Sequence, residues 1–294
     1  INSKCNCLLS YTNDKAEIEA RFNRPDYKGK LFIDSGAFSL WTQGKEVNVD
    51  EYIEFLNQNT KFIDLHGQVD IIPGERGHVP SAEQVEEAAR LTWENYLYMR
   101  ERLTHPDKCL YTFHVDEPYE YLRQALEWKN ENGQHIPYIA LGGMVGRNSS
   151  SRERFLKGVF ATIRNSSNPD VKVHAFGMTS EKLLRDYPGI TSADSTSWLK
   201  FAAYGNIQMK INNKHHILKV GEQASWRIEH PTHLSEGDRQ YLDNYLKRYN
   251  MTLEELGGNS HLRLKFNVIY NLEMQEWIKE ERKKTSQSSL QKLF

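Results

Sequence analysis

The chain has 294 residues, of which 38% are hydrophobic, 11% aromatic and 26% charged, with 38 Lys+Arg against 39 Asp+Glu. This excludes disorder, collagen-like repeats and a mini-protein, and the near-neutral balance excludes a global basic field, so any nucleic-acid contact must rest on local patches. No apolar run approaches the ~20 residues of a bilayer span and Ile1-Asn2-Ser3-Lys4 lacks an apolar signal core, so a soluble, cytoplasmic protein with no membrane partner is expected.

Along the chain, short apolar runs alternate with longer amphipathic ones. Strands are expected at Cys7–Tyr11, Lys30–Asp34, Leu65–Ile72, Cys109–Val115, Tyr138–Leu141, Val171–Phe176 and Ile190–Ala193. Helical spacing falls between them at Val49–Phe62, Ser81–Leu103, Pro118–Asn132, Ser151–Arg164 and Ser180–Asp186. In the longest, Val85, Ala88, Ala89, Leu91, Thr92 and Tyr96 follow the helical period, and Ser81 with Gln84 forms a capping box. This alternation predicts an α/β fold with a parallel sheet and outer helices, and seven strands before Asp194 favour a (β/α)8-type TIM barrel. Periodicity does not report closure, so an open doubly wound sheet stays as the alternative.

After Asp194 the pattern changes. Ile207–Ile211 and Ile217–Val220 read as a hairpin turned at Asn212-Asn213, followed by polar helices at Ser235–Tyr249 and Leu262–Lys284 and a polar tail expected to fray from Thr285. The expected organisation is a barrel core over 1–205, a hairpin and helical extension packed on it over 206–285, and a tail over 286–294. No repeat or low-complexity linker argues for an autonomous second domain. The three cysteines, Cys5, Cys7 and Cys109, are no disulfide framework. Cys5-x-Cys7 is half a metal site, and His215, His216, His230, His233 and His261 lack a tight ligand spacing to complete it, so structural thiols and no metal or cofactor are expected.

Parallel barrels carry their chemistry at the C-terminal strand ends. The first such end is Asp34-Ser35-Gly36-Ala37-Phe38-Ser39, an acid, small residues for a tight turn and an aromatic for a flat ligand. On the next strand Asp64, His66, Gln68 and Asp70 share one face if it is extended, which suits a pocket. Then come His114, Asp116 and Glu117, the Gly142-Gly143-Met144 segment, Phe176-Gly177-Met178 and Asp194-Ser195-Thr196-Ser197. Each has a structural alternative: Asp as a helix cap, Gly142-Gly143 as a turn, Phe38 and Phe176 as core aromatics. The recurrence of acids and glycines at successive strand ends is what points to a site.

The order of these motifs resembles the tRNA-guanine transglycosylase superfamily, a (β/α) barrel family, from about Lys30 to Trp198 and more faintly to Trp277. Asp34-Ser35-Gly36-Ala37-Phe38 is similar to its Asp-Ser-Gly-Gly-aromatic motif and Ala140-Leu141-Gly142-Gly143-Met144 to its Gly-Gly-Leu segment. His174-Ala175-Phe176-Gly177 is similar to its His-x-x-Met-Gly segment, and Ser192-Ala193-Asp194-Ser195 falls where it keeps a Phe-Asp-Cys nucleophile. The tRNA enzymes carry a Cys-x-Cys-x-x-Cys plus His zinc site, whereas this chain has no cysteine after Cys109. In this and in its compactness the chain looks more like the DNA-guanine transglycosylases of phage and bacterial 7-deazaguanine modification systems.

That resemblance implies replacement of guanine in DNA by a free 7-deazaguanine such as 7-cyano-7-deazaguanine, in the host cytoplasm if phage-encoded. It implies Asp194 as the covalent nucleophile and Asp34 as the carboxyl that manages the proton. Phe38 and Phe176 fall at the purine-stacking positions, with Gly142, Gly143 and Met144 as a backbone cradle for the polar edge. The base-reading Asp matches Asp64 or Asp70, Asp64 being preferred because Asp64-x5-Asp70 reproduces the family's two-acid spacing. The family's carbonyl-reading Gln falls near Val115-Asp116; an ionised Asp116 cannot donate to a carbonyl, so either His114 does so or the accepted base differs. For the polymer, basic residues follow the Gly-Gly loop (Arg147, then Arg152, Arg154 and Lys157), lie on the hairpin (Lys210, Lys214, Lys219) and open the last helix (Arg263, Lys265). A solvated helix face is the alternative for each. Rival functions are a tRNA-acting transglycosylase, a barrel lyase or aldolase on a free small molecule, and a catalytically dead nucleic-acid-binding relative.

Overall fold

The computed structural model describes residues 5–24, 26–221 and 229–291, with side chains as far as 284. The chain forms two compact units, one from the residues up to Met178 together with Gly189–Asp194, the other from Thr179–Pro188 together with the chain from Ser195 onward.

The first unit is α/β: β1 (Cys7–Ser10), α1 (Lys15–Phe22), β2 (Leu31–Asp34), α2 (Ala37–Trp41), α3 (Val49–Gln58), β3 (Leu65–Gly67), α4 (Ala82–Arg102), β4 (Cys109–His114), α5 (Tyr119–Glu127), β5 (Tyr138–Gly142), α6 (Ser149–Arg164), β6 (Lys172–Ala175) and β7 (Ile190–Ala193). The seven strands are parallel and lie in sequence order, β1 to β7. Right-handed crossovers between strands that never reverse their order put the helices on one face, so the doubly wound alternative, which needs a reversal, does not apply. The bare face must curl to bury itself. It does: the ring of Phe32 in β2 lies 4.7 Å from His174 in β6 and 5.6 Å from Phe176 just beyond it. Phe32, Leu110, Tyr138 and Ala140 form the inner core, with Leu8, Leu65 and Phe176 packed on it. The outer face is aromatic, Tyr111 meeting Trp93 and Tyr96 of α4, and Phe113 meeting Phe155 of α6. Seven strands stand where a full barrel has eight, and among the described residues no ladder joins β7 to β1.

Strand β3 is shorter than the expected Leu65–Ile72 because α4 takes its place as hydrogen-bond partner. The Val69 N–H meets Met99 Sδ, the Val69 carbonyl accepts from Asn95 and the Ile71 N–H donates to Thr92. The capping box of Ser81 and Gln84 opens α4 as the sequence predicts.

The second unit holds α7 (Glu181–Asp186), α8 (Ser197–Ala203), the antiparallel hairpin β8 (Asn206–Ile211) and β9 (Lys214–Lys219), α9 (Glu236–Lys247), α10 (Leu253–Gly258) and α11 (Ser260–Gln291). Asn212 and Asn213 turn the hairpin with φ of 49° and 63°, the left-handed pair of a type I′ turn. The unit has its own core of Ile207, Met209, Ile211, Leu218, Leu242, Leu246 and Phe266. Its boundary precedes the expected 205 because α8 packs on α11 and β8. The expected frayed tail is helical backbone as far as Gln291; residues 292–294 lie outside the described residues. Among the described residues no helix is long and apolar enough to cross a membrane.

Asn267 of α11, fully buried, accepts from the Gln208 N–H (2.9 Å) and donates to the carbonyls of Trp198 (3.1 Å) and Asn206 (3.2 Å), tying α8 and β8 to the helix. Asn267→Ala takes the partner from the buried Gln208 N–H and Asn206 carbonyl and from the half-buried Trp198 carbonyl, and is expected to destabilise the protein by about 2–3 kcal/mol, read as a lowered urea midpoint.

Candidate active site

The C-terminal strand ends of the first unit gather carboxylates and histidines on the concave side. At β2, Asp34 Oδ2 accepts the Gly36 N–H at 3.1 Å. Gly36 has φ 78° and a Cβ there would lie 2.0 Å from Thr12 Oγ1, so only glycine permits this turn. After β7, Asp194 Oδ1 accepts the Gly177 N–H (3.1 Å) and lies 3.2 Å from His174 Nε2. Behind it runs a side-chain chain, His174 Nδ1 to Ser192 Oγ (2.7 Å) to Tyr138 Oη (2.6 Å). Every member is satisfied when Tyr138 donates to Ser192, Ser192 to Nδ1, and Nε2–H to Asp194, an assignment that fixes the tautomer.

His114 ends β4 with both ring nitrogens engaged: Nε2 lies 2.9 Å from Asp70 Oδ2 and Nδ1 2.9 Å from Glu117 Oε1. Burial works against its charged form, but the Glu117 and Asp70 carboxylates outweigh this and raise its pKa to about 10. The carboxyl group of Asp34, partly open to solvent, is pushed up to about 7, by burial first and by the Asp70 carboxylate second; the Gly36 N–H opposes the shift, and Asp194 and Asp14 add to it. The rim thus offers carboxyl groups in unequal surroundings, an arrangement suited to pairing a proton donor with a nucleophile.

Asp34, Asp70, His114, Phe176 and Asp194 are brought together, with Gly142 beneath the His114 ring. The preferred Asp64 is not among them. It precedes β3, is exposed, and accepts the Leu31 N–H at 2.8 Å, at the opposite end of the strands. His66 and Gln68 are buried, His66 edge-on to Tyr52 of α3, so the expected polar face of this strand does not form. Asp116 is exposed at φ 75° and pairs with Arg147, which is therefore held by a carboxylate. His114 has no nitrogen free to read a carbonyl, whereas the N–H groups of Gly143 and Met144 make no hydrogen bond among the described residues. Met144 is buried, and Phe38, expected as a core aromatic or a stacking platform, is 62% exposed.

In the second unit the hairpin carries Lys214, exposed, and Lys219, half-buried. Lys210 is a correction to its expected place: half-buried on the face of β8 opposite the core residues Ile207, Met209 and Ile211, it is ion-paired with Glu181 and lies 5.4 Å over the Trp277 ring. Arg263 is another: it is buried and donates to the carbonyls of Ala202, Leu256 and Gly257, closing the ends of α8 and α10. Sequence reasoning named Glu117 at its strand end and His174 and Ser192 within motifs but gave them no role, and it passed over Tyr138. The alternation that puts His174 beside Phe176 and Ser192 beside Asp194 on one strand face was the available signal.

Neither the protein-family models nor the curated proteins include any that matches this chain. Among the described residues no group of three His, Cys, Asp or Glu is arranged to hold a metal ion.

The His114 ring lies against Gly142, where a Cβ would fall 2.3 Å from Cδ2, while at Gly67 the nearest atoms to a Cβ are Asp34 Oδ1 at 3.8 Å and Phe176 Cζ at 3.9 Å. Gly142→Ala is expected to destabilise by about 2 kcal/mol and Gly67→Ala to be neutral or stabilising by up to ~1 kcal/mol, compared by denaturant melts. Since the folded protein holds the His114 proton above the ordinary 6.5, that stabilisation is complete below about 6.5 and lost as pH rises through about 10. Unfolding free energy should fall across that window, and His114→Gln should flatten the fall.

Proposed function

We propose that the chain is a base-exchange transglycosylase that replaces guanine in DNA with a 7-deazaguanine through a covalent Asp194 glycosyl intermediate. The observation that carries this reading is the convergence of Asp34, Asp70 and Asp194 at one rim of a curled parallel sheet, with Asp34 raised to about 7 and Asp194 oriented by Gly177 and His174. In this reading the sheet belongs to a (β/α)8-type barrel, with one strand position outside the seven-stranded ladder.

Asp194 attacks C1′ of the target nucleotide as the bond to guanine breaks, and guanine leaves with the proton of Asp34. The incoming 7-deazaguanine returns a proton to Asp34, its nitrogen attacks C1′, and the ester to Asp194 breaks. Phe176 and the exposed Phe38 present aromatic faces to the purine. Asp70 replaces Asp64 as acceptor for the donor edge of the base, and the Gly143 and Met144 N–H groups replace His114 as donors to its carbonyl. The polymer's phosphates are assigned to Arg147, Lys214 and Lys219. DNA is proposed over tRNA because the cysteine cluster of the tRNA enzymes has no counterpart after Cys109. A target base inside a duplex has to be flipped out to reach the rim.

Incubation with labelled guanine-containing DNA or tRNA and free 7-deazaguanine, resolved on a denaturing gel, tests the reading. A covalent DNA adduct is expected, absent in a folded Asp194→Asn protein whose exchange is reduced by roughly a thousandfold or more. Exchange should also decline as pH rises through about 7, where Asp34 loses its proton. Unimpaired exchange by Asp194→Asn removes Asp194 from its role, and labelling of tRNA alone overturns the choice of polymer.

A further inference from the structure

Glu117 has no place in the chemistry so far, although it is an ionisable side chain only 6% exposed. It stands at the turn after β4, held in three ways. Its Oε2 accepts the His114 backbone N–H at 3.0 Å, its Oε1 meets His114 Nδ1 at 2.9 Å, and its own N–H donates to the His114 carbonyl at 3.3 Å. The imidazole it grips is packed on Gly142, where not even a methyl group fits, and turns its other nitrogen to Asp70 Oδ2 at 2.9 Å. The ring therefore has one orientation, set from behind by Glu117. Asp70 has 18% of its side chain exposed, and its second oxygen makes no hydrogen bond among the described residues.

Burying a carboxylate costs several kcal/mol unless a partner compensates it, and a neutral residue would close this turn as well. We infer that Glu117 is a positioning residue that, acting through His114, locks the Asp70 carboxylate in place with one oxygen open to a ligand and its negative charge kept beside Asp34. The inference rests on the base-exchange reading for its substrate, while its electrostatic content belongs to the apo protein.

The consequence lies in how the charges are coupled. Asp34 is faced by Asp14 from the turn after β1, Tyr52 of α3, Asp70 after β3 and Asp194 after β7. His114 is faced by Asp70 and Glu117, and Glu117 in turn by Tyr111 of β4 and Tyr121 of α5. Neutralising Glu117 withdraws one of the two counter-charges that keep His114 protonated. The imidazole then discharges at lower pH, Asp70 loses its cation, and its uncompensated charge makes Asp34 hold its proton more tightly.

The test is a pH titration of the full chain by NMR, with 13C-labelled Asp carboxyls and 15N-labelled imidazoles, on the wild type, Glu117→Gln and Asp70→Asn. Glu117→Gln is expected to lower the His114 midpoint by roughly three pH units, into the range where Asp34 titrates, and so to raise that of Asp34 by about half a unit. Asp70→Asn is expected to lower both, the opposite sign at Asp34. The alkaline limb of the exchange profile should move up with Asp34 in Glu117→Gln, a change that a merely structural role would not produce. Unmoved midpoints in a folded Glu117→Gln protein overturn the inference, and if that variant does not fold, an unmoved Asp34 in Asp70→Asn does so. A protein that exchanges no base on any polymer refutes the base-exchange reading, while the titrations still decide the role of Glu117.

Discussion

The contact between Phe32 and His174 is the constraint on which the first unit depends. Their strands, β2 and β6, are separated in the ladder by three others, yet the rings are 4.7 Å apart. Only a sheet that curls on itself permits this, and the curl follows from strands added in order with every crossover of one hand. Once the inner face is closed by Phe32, Leu110 and Tyr138, the strand ends are no longer a row but an arc. Asp34, Asp70, His114 and Asp194, remote in sequence, then face a common space. The aromatic layer on the opposite face, Trp93, Tyr96 and Tyr111, holds α4 to β4 and fixes the outer radius of that arc.

Gathering carboxylates raises their mutual repulsion, and the fold meets it with donors whose positions it has already set. Gly36 supplies an N–H to Asp34, Gly177 an N–H to Asp194, and two histidines stand against Asp70 and Asp194. The histidines are not equivalent. His174 is backed by hydroxyls, Ser192 and Tyr138, and passes on the direction of their hydrogen-bond chain. His114 is backed by a carboxylate and brings a full positive charge to the rim. The acids of the rim thus stand in unequal surroundings: Asp34 is raised by burial and by the Asp70 carboxylate, Asp194 rests on a chain of hydroxyls, and Asp70 rests on a charged imidazole. Unequal acids are what a reaction needs when one group must carry a proton while another attacks.

Much of this was legible in the sequence, because the readable features are local. The alternation of strand and helix, the Ser81 capping box, the Asn212-Asn213 turn and the acids at strand ends each depend on a few neighbouring residues. Asp64 was misplaced for a reason that lies elsewhere in the chain: Thr92, Asn95 and Met99 of α4 capture the backbone after Gly67, so β3 ends early and the alternation that would align Asp64 with Asp70 is lost. Lys210 and Arg263 were misread for a related reason. Whether a cation faces solvent or a carbonyl cluster is decided by the element packed against it, here α7 for Lys210 and α8 with α10 for Arg263. Glu117 was named at its strand end but given no role, because three residues of spacing to His114 reads as an ordinary turn until the ring is seen to reach Asp70.

The loss of Lys210 and Arg263 from the surface has a bearing on how a polymer is recognised under the base-exchange reading. Of the nine basic residues that the sequence offers to phosphates, these two are consumed inside the second unit, and Arg147 already has Asp116 as a partner. Each phosphate contact contributes a salt-sensitive increment that carries no sequence information. A chain with few of them grips any backbone weakly, and its rim, lined by Asp34, Asp70 and Asp194, repels phosphate besides. Affinity must then come from the extruded base, whose donor edge meets Asp70 and whose face meets Phe176. Discrimination is thereby transferred from the groove to the pocket, and the rigidity of the Glu117–His114–Asp70 contact becomes a condition of selectivity: an acceptor held in one place accepts only a base whose donors arrive there, and an unpaired buried donor on a wrong base costs about 1–3 kcal/mol.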